Sequence, residues 1–393
     1  MERILEQNFA INYNYPIVFS EHIFKTTNTA LKNFFEKNRN EFFSQKVLLV
    51  VDDAVWNAHP YLHTAIIQYF DLVDCVDLVS TPVIIPGGER CKNNPASVDA
   101  IIKAIDEHGI DRHSYIIGLG GGAILDLVGF AAAIAHRGIK HVRIPTTVLS
   151  QNDSGVGVKN SVNYKKKKNF LGTFAPPAAV FNDFSLLSSL DSRSWIAGVS
   201  EAIKVALIKD IDFYKWIEDR ALLLPVRDSE EMKELIYRCA DLHLEHIRNG
   251  DPFEYGSSRP LDFGHWSAHK LEQLTNFSLL HGEAVAIGLA IDVLYSHYIG
   301  NLQKEEALRV VNLIQQLGLP IYHPILSSTK NLQKLLAGLT EFQEHLGGRL
   351  TVVLLEKLGK GKDYHDINPE LVQKAIHCLR TLQDEPNLIH ETI

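Results

Sequence analysis

The sequence predicts an α/β domain on a mostly parallel sheet over residues 1–185, joined to a mainly helical domain over residues 186–393. Three observations predict it. Short apolar runs ending in turn residues alternate with helix-period stretches through the first half. Helical periodicity governs the second half from about Asp191, and no internal repeat interrupts the pattern.

Taken in order, Lys46–Val51 (KVLLVV) is an apolar run closed by Asp52-Asp53, and Pro82–Ile85 ends at Pro86-Gly87-Gly88. Ser114–Gly118 (SYIIG) runs into a glycine cluster, and His141–Ile144 is followed by Pro145-Thr146-Thr147. Pro95–His108 and Asp126–Ala135 carry helical periodicity between them. Short strands spaced by helices imply parallel pairing, because a parallel neighbour needs a crossover long enough for a helix. Helical periodicity then dominates Trp195–Lys209, Glu230–Arg248, Ala268–Leu274, Glu283–Ile299, Lys304–Leu317 and Pro369–Leu382. Arg349–Leu355 (RLTVVLL) is the exception and reads as a strand.

Hydrophobic residues make up 46% and charged residues 22%, ordinary for a globular chain. A formal net charge of -8 leaves no global basic field to gather nucleic acid or anionic lipid, so any anionic ligand must be met by a local cation cluster. Cys75, Cys91, Cys239 and Cys378 stand far apart with no CxxC pair, the usage of reduced cytosolic thiols. The N-terminal MERILEQNFAINYNYPIVFS has no continuous apolar core, and nowhere do about 18 apolar residues run together. A cytoplasmic protein without membrane contact is expected.

Gly118-Leu119-Gly120-Gly121-Gly122-Ala123-Ile124-Leu125-Asp126 follows one predicted strand and opens a helix. Glycines let backbone amides approach a pyrophosphate, and the helix N-terminus adds partial positive charge. The spacing is not GxGxxG, so a tight turn without ligand competes with a dinucleotide site. Asp52 could accept from a ribose hydroxyl, or simply cap the helix that follows it.

Two imidazoles stand four apart in Phe263-Gly264-His265-Trp266-Ser267-Ala268-His269, His281 follows 16 residues after His265, and Glu201 stands three before Lys204 in Ala197–Lys204. Two histidines and one glutamate form a catalytic zinc set with positions left for water or substrate. Each part has a plainer reading: among 18 histidines an HxxxH pair arises by chance, and Glu-x-x-Lys is commonly a solvated pair. Their joint occurrence favours the metal. Arg137, Lys159 and Lys168 lie near small or amide residues, in DSGVGVK (from Asp153) and around Asn169, suited to a phosphate. Lys165–Lys167 could equally be a solvated loop, a reading that fits Lys168 less well because it sits beside Asn169 and an apolar FLG.

The glycine loop with Asp126, Pro145-Thr146-Thr147, DSGVGVK, KKNFLG, AGVSEAIK, FGHWSAH and LHGEAVAIG together resemble the 3-dehydroquinate synthase superfamily of sugar phosphate cyclases, in unbroken order over roughly residues 45–300. The resemblance implies a dehydroquinate synthase-like fold and a homodimer. It implies NAD+ contacted by Asp52, Glu89, Lys92, Gly121, Gly122, Asp126, Thr146 and Thr147. One divalent ion, zinc or cobalt, would be held by Glu201, His265 and His281. A phosphate pocket would include Arg137, Lys159, Lys168, Asn169 and His269, and Lys204, His269, Lys159 and Asp153 would surround the reacting centre. The implied chemistry is transient oxidation by NAD+, phosphate elimination, return of the hydride and aldol closure, with no net redox change.

Dehydroquinate synthases grip a substrate carboxylate with a lysine and an arginine flanking a DExE-like segment. Here that region reads from His243 to Glu254 without the lysine, Ser257-Ser258 precede Arg259, and Asp262 replaces an asparagine. A buried carboxylate facing an added aspartate would be several kcal/mol worse off, on the order of the cost of an unpaired buried charge. RPLDFGHWSAHKLE, EFQEHLGGRLTVVLL and DYHDIN resemble instead the sedoheptulose 7-phosphate cyclases, with Asp262, Arg259 and either Lys360 or His365 at a phosphorylated ketose. Dehydroquinate synthase, a metal-dependent polyol dehydrogenase and a catalytically silent scaffold remain the alternatives.

Overall fold

A computed structural model of the chain describes residues 3–165, 167–227, 230–249, 251–253, 260–346 and 348–384. The eleven strands described are β1 Ile17–Ser20, β2 Gln45–Asp52, β3 Val76–Leu78, β4 Val83–Ile85, β5 Tyr115–Gly120, β6 Lys140–Pro145, β7 Lys159–Tyr164, β8 Lys167–Phe174, β9 Ala179–Asp183, β10 Val352–Lys357 and β11 Lys360–Tyr364. Seven form one sheet in the order β1-β9-β6-β5-β2-β3, with β4 on the second half of β2. Every pairing in it is parallel. The central strands are buried along their length, as near-continuous apolar runs must be when both faces are covered. One apolar cluster lies on each face, one around Phe35, Val47 and Phe181, the other around Leu48, Ile116 and Val128.

Parallel pairing aligns the carboxyl ends of β2, β5 and β6, so Asp52, Gly120 and Pro145 lie side by side. The Gly122–Ile134 helix starts there, and a short π-turn, Ser150–Ser154, follows β6. β7 and β8 form an antiparallel hairpin outside the main sheet. The late strand expected from RLTVVLL is β10, which pairs with β11.

The second half is a bundle around the His281–Tyr298 helix, whose residues from Gly282 to Ser296 are all buried. Such all-round burial explains its near-continuous apolar sequence. Two glycines set how close its neighbours come. A β-carbon on Gly288 would lie 2.0 Å from the Gly264 carbonyl oxygen, and one on Gly282 would lie 1.9 Å from that of Ala197. Backbone-to-backbone approach brings the helices Val199–Lys209 and His265–Leu274 against this one. All four cysteines are buried and free. Among the described residues no helix is long and apolar enough to cross a membrane.

Asp292 on the central helix accepts the Gly264 backbone N–H at 3.0 Å and the Trp266 indole N–H at 2.9 Å, gripping both neighbours of His265. Burial outweighs these two hydrogen bonds and pushes its pKa up to about 7. The folded state therefore holds this proton more tightly than the unfolded chain, where an aspartate titrates near about 3.9. Its contribution to stability is full in acid and is lost as pH rises from about 4 to about 7.

Two outcomes follow for the bundle. Gly288→Ala is expected to cost roughly 1–3 kcal/mol through overpacking, read as a lower urea midpoint; an unchanged midpoint would show that the helices are not in backbone contact. The stability difference between wild type and Asp292→Asn, which cannot ionise, is expected to narrow by on the order of 2 kcal/mol between pH 5 and 8. A gap independent of pH contradicts the raised titration.

Candidate active site

Three helices each deliver one side chain to a common point. Glu201, from Val199–Lys209, places Oε1 3.5 Å from His265 Nε2 and 3.4 Å from His281 Nε2. One atom from each residue lies within 4.8 Å of the others. A tetrahedral ion with bonds of about 2.0–2.2 Å separates its ligand atoms by about 3.3–3.6 Å, the spacing seen here. Each imidazole is turned by its far nitrogen: His265 Nδ1 meets the Phe263 carbonyl at 3.0 Å and His281 Nδ1 meets Glu272 Oε2 at 3.0 Å. With Nδ1–H donated, Nε2 keeps a lone pair for a metal. Neither oxygen of the fully buried Glu201 receives a well-directed hydrogen bond. A buried carboxylate with one oxygen facing two imidazole nitrogens fits a divalent cation.

Lys204 Nζ lies 2.5 Å from Glu201 Oε2 and 3.9 Å from Asp153 Oδ1, and Asp153 Oδ1 meets His243 Nδ1 at 2.7 Å. Burial alone would raise the Glu201 pKa, but Lys204 and His265 hold it well below the usual carboxylate range. Asp153 is likewise held down against burial by Lys204 and His243. His269 faces His281 in a stacked pair with ring centres 5.9 Å apart, and burial, with Lys168 and His265 nearby, keeps its imidazole neutral.

A second trio, His269, Glu272 and His281, overlaps the first. Lys168 contacts both Glu272 oxygens, at 2.6 and 2.7 Å, so an ion there would have to displace a buried ammonium. The Glu201 trio is therefore the better metal centre.

The cofactor candidates gather at the carboxyl ends of the sheet. Gly121 is the N-cap of the Gly122–Ile134 helix and supplies no side chain, so no side chain caps the amides of Gly122 and Ala123, while Ile124 N bonds the Gly121 carbonyl at 3.0 Å. A β-carbon on Gly122 would lie 2.5 Å from Ser154 Oγ, which is buried without a partner, as is Thr146 Oγ1. Thr147 Oγ1 bonds Ser150 Oγ. These orphaned hydroxyls beside open helix amides fit a phosphate-bearing cofactor. Lys92 reaches Asp126 at 2.6 Å and Asn169 at 2.5 Å, and Glu89 accepts from Asn163 at 2.9 Å. Asp52 does cap the helix after β2, accepting from Ala54 N at 2.9 Å, while its carboxylate also lies against Gly87.

Several other expected residues lie apart from this cluster. Arg137 is exposed beyond the far end of the 13-residue Gly122–Ile134 helix, about 20 Å along its axis from the glycine loop. Lys159 is exposed at the start of β7. Lys168, expected at a phosphate, pairs with Glu272, and Asn169 belongs to the Lys92–Asp126 network. Asp262 is half-buried in the turn leading to His265. Lys360 is exposed and pairs with Glu356 at 2.6 Å; His365 is exposed and bonds the Leu350 carbonyl at 3.0 Å. Neither is drawn to the metal trio by these contacts. Arg259 lies outside the described residues.

The sequence reading passed over Glu272 and His243 as partners. Glu272 was legible: His265, His269 and Glu272 follow at i, i+4 and i+7, one face of a helix. His243 carries no local signal, since Asp153 is 90 residues away. A cavity of about 410 Å³ opens beside His269, between β8 and the helices His265–Leu274 and Thr329–Leu346, lined by Lys168, Asn169, Trp266 and Phe342.

Comparison with known proteins agrees with this geometry. The family description 3-dehydroquinate synthase N-terminal matches residues 82–197, and 3-dehydroquinate synthase C-terminal matches residues 198–340. A 3-dehydroquinate synthase of Shewanella halifaxensis (strain HAW-EB4) is 31% identical over 366 residues, 93% of this chain and 96% of the relative. Among solved structures, a 2-epi-5-epi-valiolone synthase from Streptomyces hygroscopicus subsp. jinggangensis 5008, with NAD+ and Zn2+ bound, is 28% identical with a TM-score of 0.85, covering 96% of this chain and 99% of that one. A 2-deoxy-scyllo-inosose synthase complexed with carbaglucose-6-phosphate, NAD+ and Co2+ shares the fold at 23% identity and TM-score 0.75, covering 92% of this chain and 95% of that one. The bundle that carries Glu201, His265 and His281, joined to a parallel sheet with an open glycine loop, is thus the framework of a known group, and the chain belongs to the 3-dehydroquinate synthase family, whose superfamily includes the sugar phosphate cyclases.

Proposed function

We propose that the protein binds NAD+ and one divalent ion, Zn2+ or Co2+, and converts sedoheptulose 7-phosphate to a valiolone-type cyclitol, 2-epi-5-epi-valiolone, with release of inorganic phosphate. The observation that carries the substrate choice is Asp262. An acid stands where a carboxylate-binding enzyme of this family needs no further negative charge, in the turn that leads into the metal-bearing helix. A neutral hydroxymethyl group tolerates that neighbour; a second carboxylate does not. The 28% identical valiolone synthase, matched over nearly the full length of both chains, supports the same choice.

When bound, NAD+ supplies a reversible hydride acceptor and the divalent ion a Lewis acid for a substrate hydroxyl. Glu201, His265 and His281 would hold the ion, and the open amides after Gly121 would hold the pyrophosphate. Lys204, buried between Glu201 and Asp153, fixes their charges and presents an ammonium to substrate oxygen. Asp153 has His243 to keep it ionised and oriented. Neutral His269 can donate one hydrogen bond to a phosphate oxygen, with Asn169 lining the same cavity; Arg137 and Lys159, exposed elsewhere on the chain, are left out of this group. Lys168 is committed to Glu272 and is left out of this group. Asp262, Arg259 and one of Lys360 and His365 remain the candidates at the far end of the ketose.

The assembly proposed is a homodimer. Among the described residues β8 pairs only with β7, and its hairpin exposes Tyr164, Phe170, Leu171 and Phe174, an apolar edge that a second copy would cover. A cytoplasmic setting accords with four buried free thiols.

Incubation of the purified protein with NAD+, Zn2+ and sedoheptulose 7-phosphate is expected to release phosphate without net NADH absorbance at 340 nm. Turnover confined to the carboxylate-bearing precursor of 3-dehydroquinate would instead make it a dehydroquinate synthase, and NADH accumulation with polyols a dehydrogenase.

A further inference from the structure

Lys168 and Asn169 are neighbours in β8 and line one cavity, yet their side chains bond different elements. Asn169 has a φ of 55° and gives its side-chain carbonyl to Lys92 and Ser161, on the glycine-loop side. Lys168 instead reaches the helical bundle, where both Glu272 oxygens lie within 2.7 Å of its ammonium. Only 3% of the Glu272 side chain and 10% of the Lys168 side chain are exposed. The pair is a buried, doubly contacted ion pair, and its remaining partner is an imidazole: Glu272 Oε2 lies 3.0 Å from His281 Nδ1.

We propose that Glu272, anchored by Lys168, is a positioning residue for the metal ligand His281, and that Lys168 serves this carboxylate rather than a substrate phosphate. His281 has two nitrogens, and only Nε2 faces Glu201. A carboxylate at Nδ1 fixes the tautomer with its proton on that side, orients the ring and leaves the lone pair on Nε2. Glu272 could not be buried there alone, because an unpaired buried carboxylate is strongly disfavoured. Lys168 supplies the missing charge. Its Nζ lies 3.4 Å from His281 Nδ1, farther than Glu272 Oε2 at 3.0 Å, so the carboxylate is the nearer partner for an Nδ1 proton. The β7–β8 hairpin thus reaches from the cofactor side, through Asn169, to the far side of a metal ligand, through Lys168.

This inference rests on reading Glu201, His265 and His281 as the metal centre, and the test separates the two. Full-length wild type, Glu272→Gln, Lys168→Met and Lys168→Arg are stripped of metal and titrated with Zn2+ against a chelator and with Co2+ by its visible absorption; NAD+ affinity is measured alongside. Expected is a loss of Zn2+ affinity of about 10–100-fold in Glu272→Gln and in Lys168→Met, with a shifted Co2+ band, NAD+ affinity near wild type, and recovery in Lys168→Arg. Wild-type Zn2+ affinity in both Glu272→Gln and Lys168→Met overturns the inference alone. So does a Lys168→Met protein whose only defect is a raised KM for the sugar phosphate, which would return Lys168 to the phosphate. Wild type that takes up neither ion overturns the metal centre and the inference with it.

Discussion

The site depends on one buried carboxylate. Glu201 is fully enclosed, and a lone ionised group in that position would be destabilised by several kcal/mol, on the order of the 3–5 kcal/mol seen when a buried pair loses one member. Lys204 answers one oxygen and two imidazoles face the other, so the sequence around Glu201 must deliver cations or cation ligands from three helices. The charge balance continues outward. Lys204 is shared with Asp153, Asp153 with His243, and His281 with Glu272 and Lys168. These links join the turn after β6 and the β8 hairpin, both elements of the sheet domain, to the helical bundle.

Close packing makes that balance possible. Gly282 and Gly288 let the central helix touch the backbones at Ala197 and Gly264, near Glu201 and His265 respectively. Gly264 itself has a φ of 77°, a conformation costly for residues with a β-carbon, and Asp292 holds its amide in place. Asn152 donates to the Gly198 carbonyl at 2.8 Å, tying the π-turn that bears Asp153 to the start of the Glu201 helix. Position in this protein is set by backbone contact first and by side-chain charge second.

Much of this was legible in the sequence. Lys46–Val51, Tyr115–Gly118 and His141–Ile144 lie in strands because apolar runs end at residues that turn the chain, and Glu230–Arg248 and Lys304–Gln316 are helices because their apolar positions repeat at the helical period. Glu201, His265 and His281 stood out by residue type. What was hidden depends on distant partners. Lys168 sat in a lysine run read as phosphate-binding or solvated, and only folding brings Glu272, 104 residues on, to its ammonium. The β7–β8 hairpin was missed because β7 is mostly polar, and β8 begins inside the lysine run and is largely exposed. The Thr329–Leu346 helix, which walls the cavity beside His269, also went unread. Asp52 satisfied the plainer expectation, a helix cap, while still lying at the glycine loop.

The two overlapping trios make the central claim sharp, because His281 belongs to both. Anomalous X-ray scattering at the zinc edge from crystals of the purified protein locates the ion directly. The account predicts one peak about 2.0–2.2 Å from Glu201, His265 and His281, with Glu272 beyond bonding distance. A peak held by His269, Glu272 and His281, or no peak near His281, would contradict it.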